Sequence, residues 1–297
     1  MAAIIQPSPA LPPPRTVDQI DTIPMGERWL TDGFRVIPTP AAFAQRTVDM
    51  TRATAALGAL GEGGLRGTFT HLMVRAAALA LARNPRLHQS VVGYRRLTPR
   101  SADIGLSMAG QTTYAPVVVL PAVDRIPLRE LVAVVEAATS AARTKEAVDL
   151  RNIRRIGWMM PFAFFRRFVI RMLQKSFWFR RRLVGTFQVS SVPTVDTAVP
   201  LQFYASSILG SGRVQDSAVV IDGRIVVRPT VVLTICLDHA TIDIARAGAL
   251  LNEIAAILEG EELVEEARMA APASTPALGP ASEPTQRAAA VSAAESA

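Results

Sequence analysis

Between Ser206 and His239 the chain alternates short β-branched runs with turn residues, and no other stretch narrows the possible folds as far. SSILGSGRV, AVVIDGRIVVRP and TVVLTICLDH each have strand length and strand composition, and Asp222-Gly223 sits between two apolar runs as a two-residue hairpin turn. Upstream, GTFQVSSV, SADIGLSM and the proline-bounded TYAPVVVLPAV also read as strands. Helical spacing interrupts them. TFTHLMVRAAALALARNPRL places Leu72, Ala76, Leu79 and Ala80 on one face, with Thr68 or Thr70 as its cap and Asn84-Pro85 as its stop. IPLRELVAVVEAATSAARTKEA predicts a second helix, and a closing helix is predicted from about Asp243 to Leu258, ended by Gly260. Helices interrupting a mostly β framework imply an α/β fold with one mixed sheet and helices packed on one face.

Composition sets the boundaries. Residues 1–20 are proline-rich and predict a flexible arm; residues 21–265 hold the periodic segments; residues 266–297 are Ala/Pro/Ser-rich and predict a disordered tail. No run of eighteen uncharged apolar residues predicts a membrane span, and the N-terminus has no signal-peptide pattern. The single cysteine, Cys236, cannot form an intrachain disulfide, so a cytoplasmic location is expected. The net charge of +7 is local: ten basic and no acidic residues lie between Leu150 and Val195, against 22 basic and 25 acidic elsewhere. That distribution describes one patch and argues against a nucleic-acid-binding protein. There is no glycine-rich phosphate loop and no Cys/His spacing for a metal, so no metal is expected.

Three histidines are present. His71 falls in a helix and His88 just after one, and both are expected to be packing or surface residues. His239 ends a strand, follows Asp238 and precedes Asp243 by four residues as a helix begins. An imidazole at a strand end is placed for proton transfer, and a carboxylate one helical turn on could orient it or brace its backbone. Equally, Asp243 could serve only as a helix cap. A lone H-x-x-x-D leaves both readings open.

Several segments together resemble the catalytic domain of the 2-oxoacid dehydrogenase acyltransferases (the dihydrolipoamide acyltransferase family) and, more distantly, chloramphenicol acetyltransferase. GTFQVSS is similar to the family's G-T-F-x-x-S element, SSILGSGR to its I-L-G-x-G stretch, and VVRPTVVLTICLDHATID to its terminal strand and active-site signature. TFTHLMVRAAALALARNPRL, SADIGLSM and APVVVLPAVDRIPLRELVAVV resemble the segments preceding them, in the family's order over roughly residues 22–258. The resemblance implies a chloramphenicol acetyltransferase-like two-layer sandwich assembled as a homotrimer. It implies an active site between subunits, with histidine and serine supplied by neighbouring chains. His239 then matches the catalytic base, Asp243 the acidic or amide position four residues on, and Ser190 the hydroxyl that stabilises the tetrahedral oxyanion. Arg28, in IPMGERW, matches a supporting N-terminal arginine that pairs near the histidine.

The implied activity is acyl transfer using acyl-CoA or another acyl thioester as substrate, with no tightly bound cofactor. The chemistry is coherent: neutral imidazole, with a pKa of about 6.5, can take the proton of a thiol of pKa about 8.5. Where the family reads H-R-x-x-D-G, this chain has Ala240 and Ile244, and the loop SVPTVD lacks a glycine. With no lipoyl-carrier segment ahead of the catalytic region, a stand-alone transferase is expected. The alternative is an inactive scaffold or regulatory homologue of the same fold, associated with a membrane surface.

The resemblance does not cover the basic insert at about 151–183. Past Pro161, the residues Phe162, Phe165, Val169, Met172, Leu173 and Phe177 fall on one helical stripe, flanked by Arg166, Arg167, Arg171 and Lys175 and followed by Arg180, Arg181 and Arg182. Three readings stand: a peripheral membrane contact on the inner face of the membrane, a gate that binds an anionic acyl carrier, or a helix packed on the enzyme with its arginines solvated.

Overall fold

The apolar run ending at Asp238 belongs to the longest strand among the described residues. The computed structural model describes residues 18–22, 41–108, 116–159, 168, 172–173, 175–200 and 205–269. Strands are β1 Gln19–Thr22, β2 Ala41–Asp49, β3 Ser90–Val92, β4 Arg95–Thr98, β5 Ile104–Ser107, β6 Val117–Leu120, β7 Phe187–Ser191, β8 Ser207–Ser211, β9 Gln215–Ile221 and β10 Arg224–Asp238. Helices are α1 Thr51–Glu62, α2 Phe69–Arg83, α3 Leu128–Met159, α4 Phe177–Val184, α5 Ile244–Glu259 and α6 Glu262–Arg268. The main sheet runs β2-β10-β8-β7-β5-β6, with β9 also paired to β10, and a small sheet runs β1-β4-β3. The main sheet is mixed: β5/β7 and β7/β8 are parallel and the other pairs antiparallel.

Alternation divides the sheet into two faces. Val231, Leu233, Ile235 and Leu237 of β10, with Ile104, Leu106, Phe187, Val189 and Leu209, enter the core beneath the helices. Thr230, Thr234 and Cys236, their alternating neighbours, face the other way. The β9/β10 hairpin forms at Asp222-Gly223 as expected, with both residues at positive φ (50° and 77°), the conformation a primed two-residue turn requires. Sequence alone splits AVVIDGRIVVRP from TVVLTICLDH at Pro229; the structure runs one strand through it. At Pro229–Thr230 β10 exchanges β9 for β2 and β8, and opposite the next residues the three-residue link Gly212–Val214 faces only Val231 and Val232. That is a β-bulge, and a partner exchange beside a bulge is where a strand tolerates a missing N–H.

Helix α2 starts after Thr68 and stops at Asn84, as its caps predict, and is buried from His71 to Leu81. Its two arginines, Arg75 and Arg83, each leave only 7% of the side chain exposed. Arg75 makes a bidentate pair with Glu266 of α6 (2.9 and 2.7 Å) and donates to the Val123 and Asp124 carbonyls. Arg83 pairs with Glu253 of α5 (3.2 Å) and Glu262 of α6 (2.6 Å). Alanine-rich α1, strand β2 and helix α6 are elements that the periodicity reading leaves unassigned. They are needed: α6 buries Leu263, Val264 and Ala267, and β2 pairs with nine residues of β10.

His71 and His88 are both buried. The Thr68 N–H donates to His71 Nδ1 (3.0 Å), which fixes the proton on Nε2, an atom buried without a hydrogen-bond partner. Burial holds this imidazole below the ordinary histidine pKa, opposed by the Glu136 carboxylate. The unfolded chain therefore binds a proton that the folded chain resists. Stability is complete above about pH 6.5, the unfolded value, and falls as pH drops from there toward the lower folded pKa. Urea unfolding at pH 5.5 and 7.5 should show this loss, and His71→Gln, which keeps the acceptor, should flatten it.

Candidate active site

The strand β10 delivers His239 to a turn that its neighbour builds. Asp238 N–H donates to the Ser206 carbonyl (2.9 Å), and the Asp238 carbonyl accepts from the N–H groups of Thr241 (2.8 Å) and Ile242 (3.1 Å). Its carboxylate accepts from the Ala240 N–H (3.0 Å) and the Thr241 hydroxyl (3.2 Å). His239 is thus held half-buried, with Nδ1 inside. Asp243 is engaged otherwise: its Oδ1 accepts from the Arg246 N–H (2.9 Å) as the cap of α5, and its Oδ2 pairs with Arg246 Nε (3.2 Å). The carboxylate that shapes the histidine turn is Asp238, one residue before the imidazole. A D-x-A-T-type Asx turn was its sequence signal.

Beside Ser206 lies a small depression lined by Leu97, Phe177, Arg180, Thr186, Ala205 and Ser206. Arg180 donates to the Val91 carbonyl (3.2 Å). Burial lowers its guanidinium pKa, and the Asp238 carboxylate opposes that effect. Thr186 is fixed from three sides: its hydroxyl donates to the Asp103 carbonyl (3.1 Å) and accepts from the Asp103 N–H (3.0 Å), so His88 Nε2, 2.6 Å away, is the donor in their bond. The cysteine is no nucleophile here: Cys236 is buried, and burial pushes its thiol up.

Ser190 lies on the other stretch of the sheet, on the face away from the helices. The registers Ser107↔Ser190, Ser190↔Gly210, Gly210↔Thr234 and Thr234↔Gln45 place these residues in one row across five strands. Gln45 donates to both the Thr234 (3.0 Å) and Thr197 (2.9 Å) hydroxyls. The segment 195–200 crosses the row closely. A Cβ on Gly210 would lie 2.5 Å from Pro200 Cδ and 2.8 Å from the Ala198 carbonyl, and one on Gly212 would collide with the Asp196 carbonyl. This crossing is the physical reason for both glycines of ILGSG. The adjacent hydroxyl, Ser191, accepts from Ser211 Oγ (3.1 Å) and points to the opposite face, so the two serines are distinct in role.

Within one chain His239 and Ser190 are not together. Ser190 is level with Thr234, five residues back along β10 and two strands over. At about 3.4 Å per residue and about 4.8 Å per strand, they stand roughly 17 Å apart along the sheet and 10 Å across it. Of the other expected site residues, Lys175 is exposed, while Arg28, Arg166, Arg167 and Arg171 lie outside the described residues. Among the described residues no group of three or more His, Cys, Asp or Glu is placed to hold a metal ion.

The family model described as "2-oxoacid dehydrogenases acyltransferase (catalytic domain)" matches residues 185–265, the span that carries Ser190, His239 and α5. A dihydrolipoyllysine-residue acetyltransferase component of the pyruvate dehydrogenase complex from Bacillus subtilis (strain 168) is 41% identical over 58 residues. That alignment spans 20% of this chain and only 13% of the relative. Among solved structures, a dihydrolipoamide acetyltransferase from Azotobacter vinelandii superposes with a TM-score of 0.58 at 18% identity, over 83% of this chain and 94% of that one. A truncated catalytic core of the 2-oxoacid dehydrogenase multienzyme complex from Thermoplasma acidophilum gives 0.55 at 18% identity, over 80% and 98%. Residues 185–265 thus match the 2-oxoacid dehydrogenase acyltransferase catalytic-domain model, and the chain has the fold of the solved catalytic cores it superposes on.

Proposed function

We propose that this protein is an acyltransferase that moves an acyl group between coenzyme A, or another thioester carrier, and an acceptor, and that it works as a homotrimer. His239 acts as general base. Its neutral imidazole takes the proton of the attacking nucleophile, which adds to the thioester carbonyl. The Ser190 hydroxyl donates to the oxygen on which charge develops. Collapse of the adduct breaks the carbon–sulfur bond, and the departing thiolate recovers the proton from the imidazolium.

The observation that carries this reading is the separation of the two residues. Both lie in the span matched by the family model, yet the sheet register holds them well beyond contact in one chain. They can meet only if one protomer supplies His239 and its neighbour supplies Ser190. The projecting β9/β10 hairpin supports an assembly of this kind, since Val220, Ile225 and Val227 expose an apolar face on a two-stranded ribbon. Asp238 sets the histidine turn, while Asp243 caps the start of α5. Ile244 follows as the first, exposed residue of that helix.

Two serine variants test the assignment. Ser190→Ala should lower kcat for acyl transfer from acetyl-CoA to dihydrolipoamide by about 10²–10³-fold with little change in KM. Ser191→Ala, on the opposite face, should stay within a few-fold of wild type. Equal losses in both variants would remove Ser190 from the oxyanion role.

A further inference from the structure

The basic insert re-enters the described structure as a surface unlike the rest of the molecule. Phe168 (58% exposed), Met172 (55%), Leu173 (39%) and Trp178 (68%) all face outward within eleven residues. Lys175 and Arg182 are exposed among them, and the Arg182 guanidinium lies over the Trp178 ring, 5.3 Å from its centroid. A helix packed on the enzyme would bury Met172 and Leu173. They are exposed instead.

This surface is presented by a rigid mount. Ser176 caps α4 by accepting from the Phe179 N–H (3.3 Å). The arginine triplet is divided by role: Arg180 holds the Val91 carbonyl (3.2 Å), and Arg181 pairs with Asp103 and Asp18 at 2.6 Å each. Arg182 alone of the three is left on the outer face, one helical turn from Trp178. Asp103 in turn accepts from Ser101 (3.1 Å) and the Ala122 N–H (3.0 Å), which ties the mount to the sheet.

We infer that this face docks on the surface of an anionic lipid bilayer. The chemistry selects that occupant. Among the described residues of this face, exposed Phe, Met, Leu and Trp outnumber the exposed cations, which suits insertion at the depth of the headgroup–acyl boundary, where a tryptophan with an adjacent guanidinium is at home. An acidic soluble carrier would be read by a cluster of free cations with few large apolar side chains between them. Of the described cations here, Lys175 and Arg182 face outward to meet anionic headgroups, and the sequence from Leu150 to Val195 carries ten basic residues and no acidic one. No helix among the described residues is long and apolar enough to cross a membrane.

Flotation of the full-length protein with phosphatidylcholine vesicles, with and without about 30% phosphatidylglycerol, tests this. Wild type should float with the anionic vesicles. The triple variant Met172→Asp, Leu173→Asp, Trp178→Ser should bind about tenfold or more weakly. Lys175→Glu with Arg182→Glu should lose the anionic preference by about fivefold for each charge. All these positions are exposed, so melting temperature and oligomeric mass should be unchanged. Three outcomes would overturn the inference: no flotation of wild type, equal flotation of the triple variant, or a change in its oligomeric mass, which would place a second copy of the chain on this face.

Discussion

His239→Ala should lower kcat/KM for acyl transfer by about 10²–10⁴-fold while leaving the fold intact. The turn around the histidine is built by Asp238, through bonds to Ala240, Thr241, Ile242 and Ser206, so removing the imidazole leaves that scaffold standing. The loss should be chemical, seen in kcat with acetyl-CoA at saturation, with thermal unfolding close to wild type. A companion variant separates base from bracing: Asp238→Asn keeps an acceptor for the Ala240 N–H and should cost far less than His239→Ala. Unchanged background turnover in His239→Ala would identify the protein as a scaffold that keeps the fold without the reaction.

The largest effect on stability should come from Arg75→Ala, at about 3–5 kcal/mol. The side chains of Arg75 and Glu266 are 7% and 17% exposed, and the guanidinium also serves two carbonyls of the turn that precedes α3. Alanine strands the Glu266 carboxylate, whose other role is to accept from the Leu128 N–H (3.2 Å) at the start of α3. Three elements loosen at once. By contrast, Arg213→Ala breaks a solvent-exposed pair with Asp196 and should change stability by less than about 1 kcal/mol. Urea unfolding with linear extrapolation distinguishes the two.

Local signals went far in this chain where side-chain chemistry and backbone geometry coincide. Asp222-Gly223 specifies its turn because both positions need positive φ. Thr68 and Asn84 bound α2 because caps act within one turn. The G-T-F-x-x-S element forms β7, which carries Ser190, and the DH element follows the end of β10. What stayed hidden depends on long-range contact. Alanine-rich α1 buries only Ala53, Ala56, Ala59 and Leu60, and AAFAQRTVD becomes β2 by pairing with β10. Pro229 looked like a strand end, yet the strand continues because the chain changes partners there. The arginines of α2 are paired only once α5 and α6 bring up their carboxylates. Asp243, four residues after the histidine, drew the eye by spacing, whereas Asp238 does the local work through an Asx turn. The separation of His239 from Ser190 is a property of strand register, and no motif spacing encodes it.

Subunit mixing tests the central proposition most directly. His239→Ala and Ser190→Ala proteins, each nearly inactive alone, are unfolded together, refolded as mixed assemblies and assayed for acyl transfer. If adjoining protomers complete each site, mixed assemblies contain some interfaces with both an intact histidine and an intact serine, and a substantial fraction of wild-type activity returns. If activity stays at the level of the separate variants although mixed assemblies have formed, the two residues do not serve one shared site between chains.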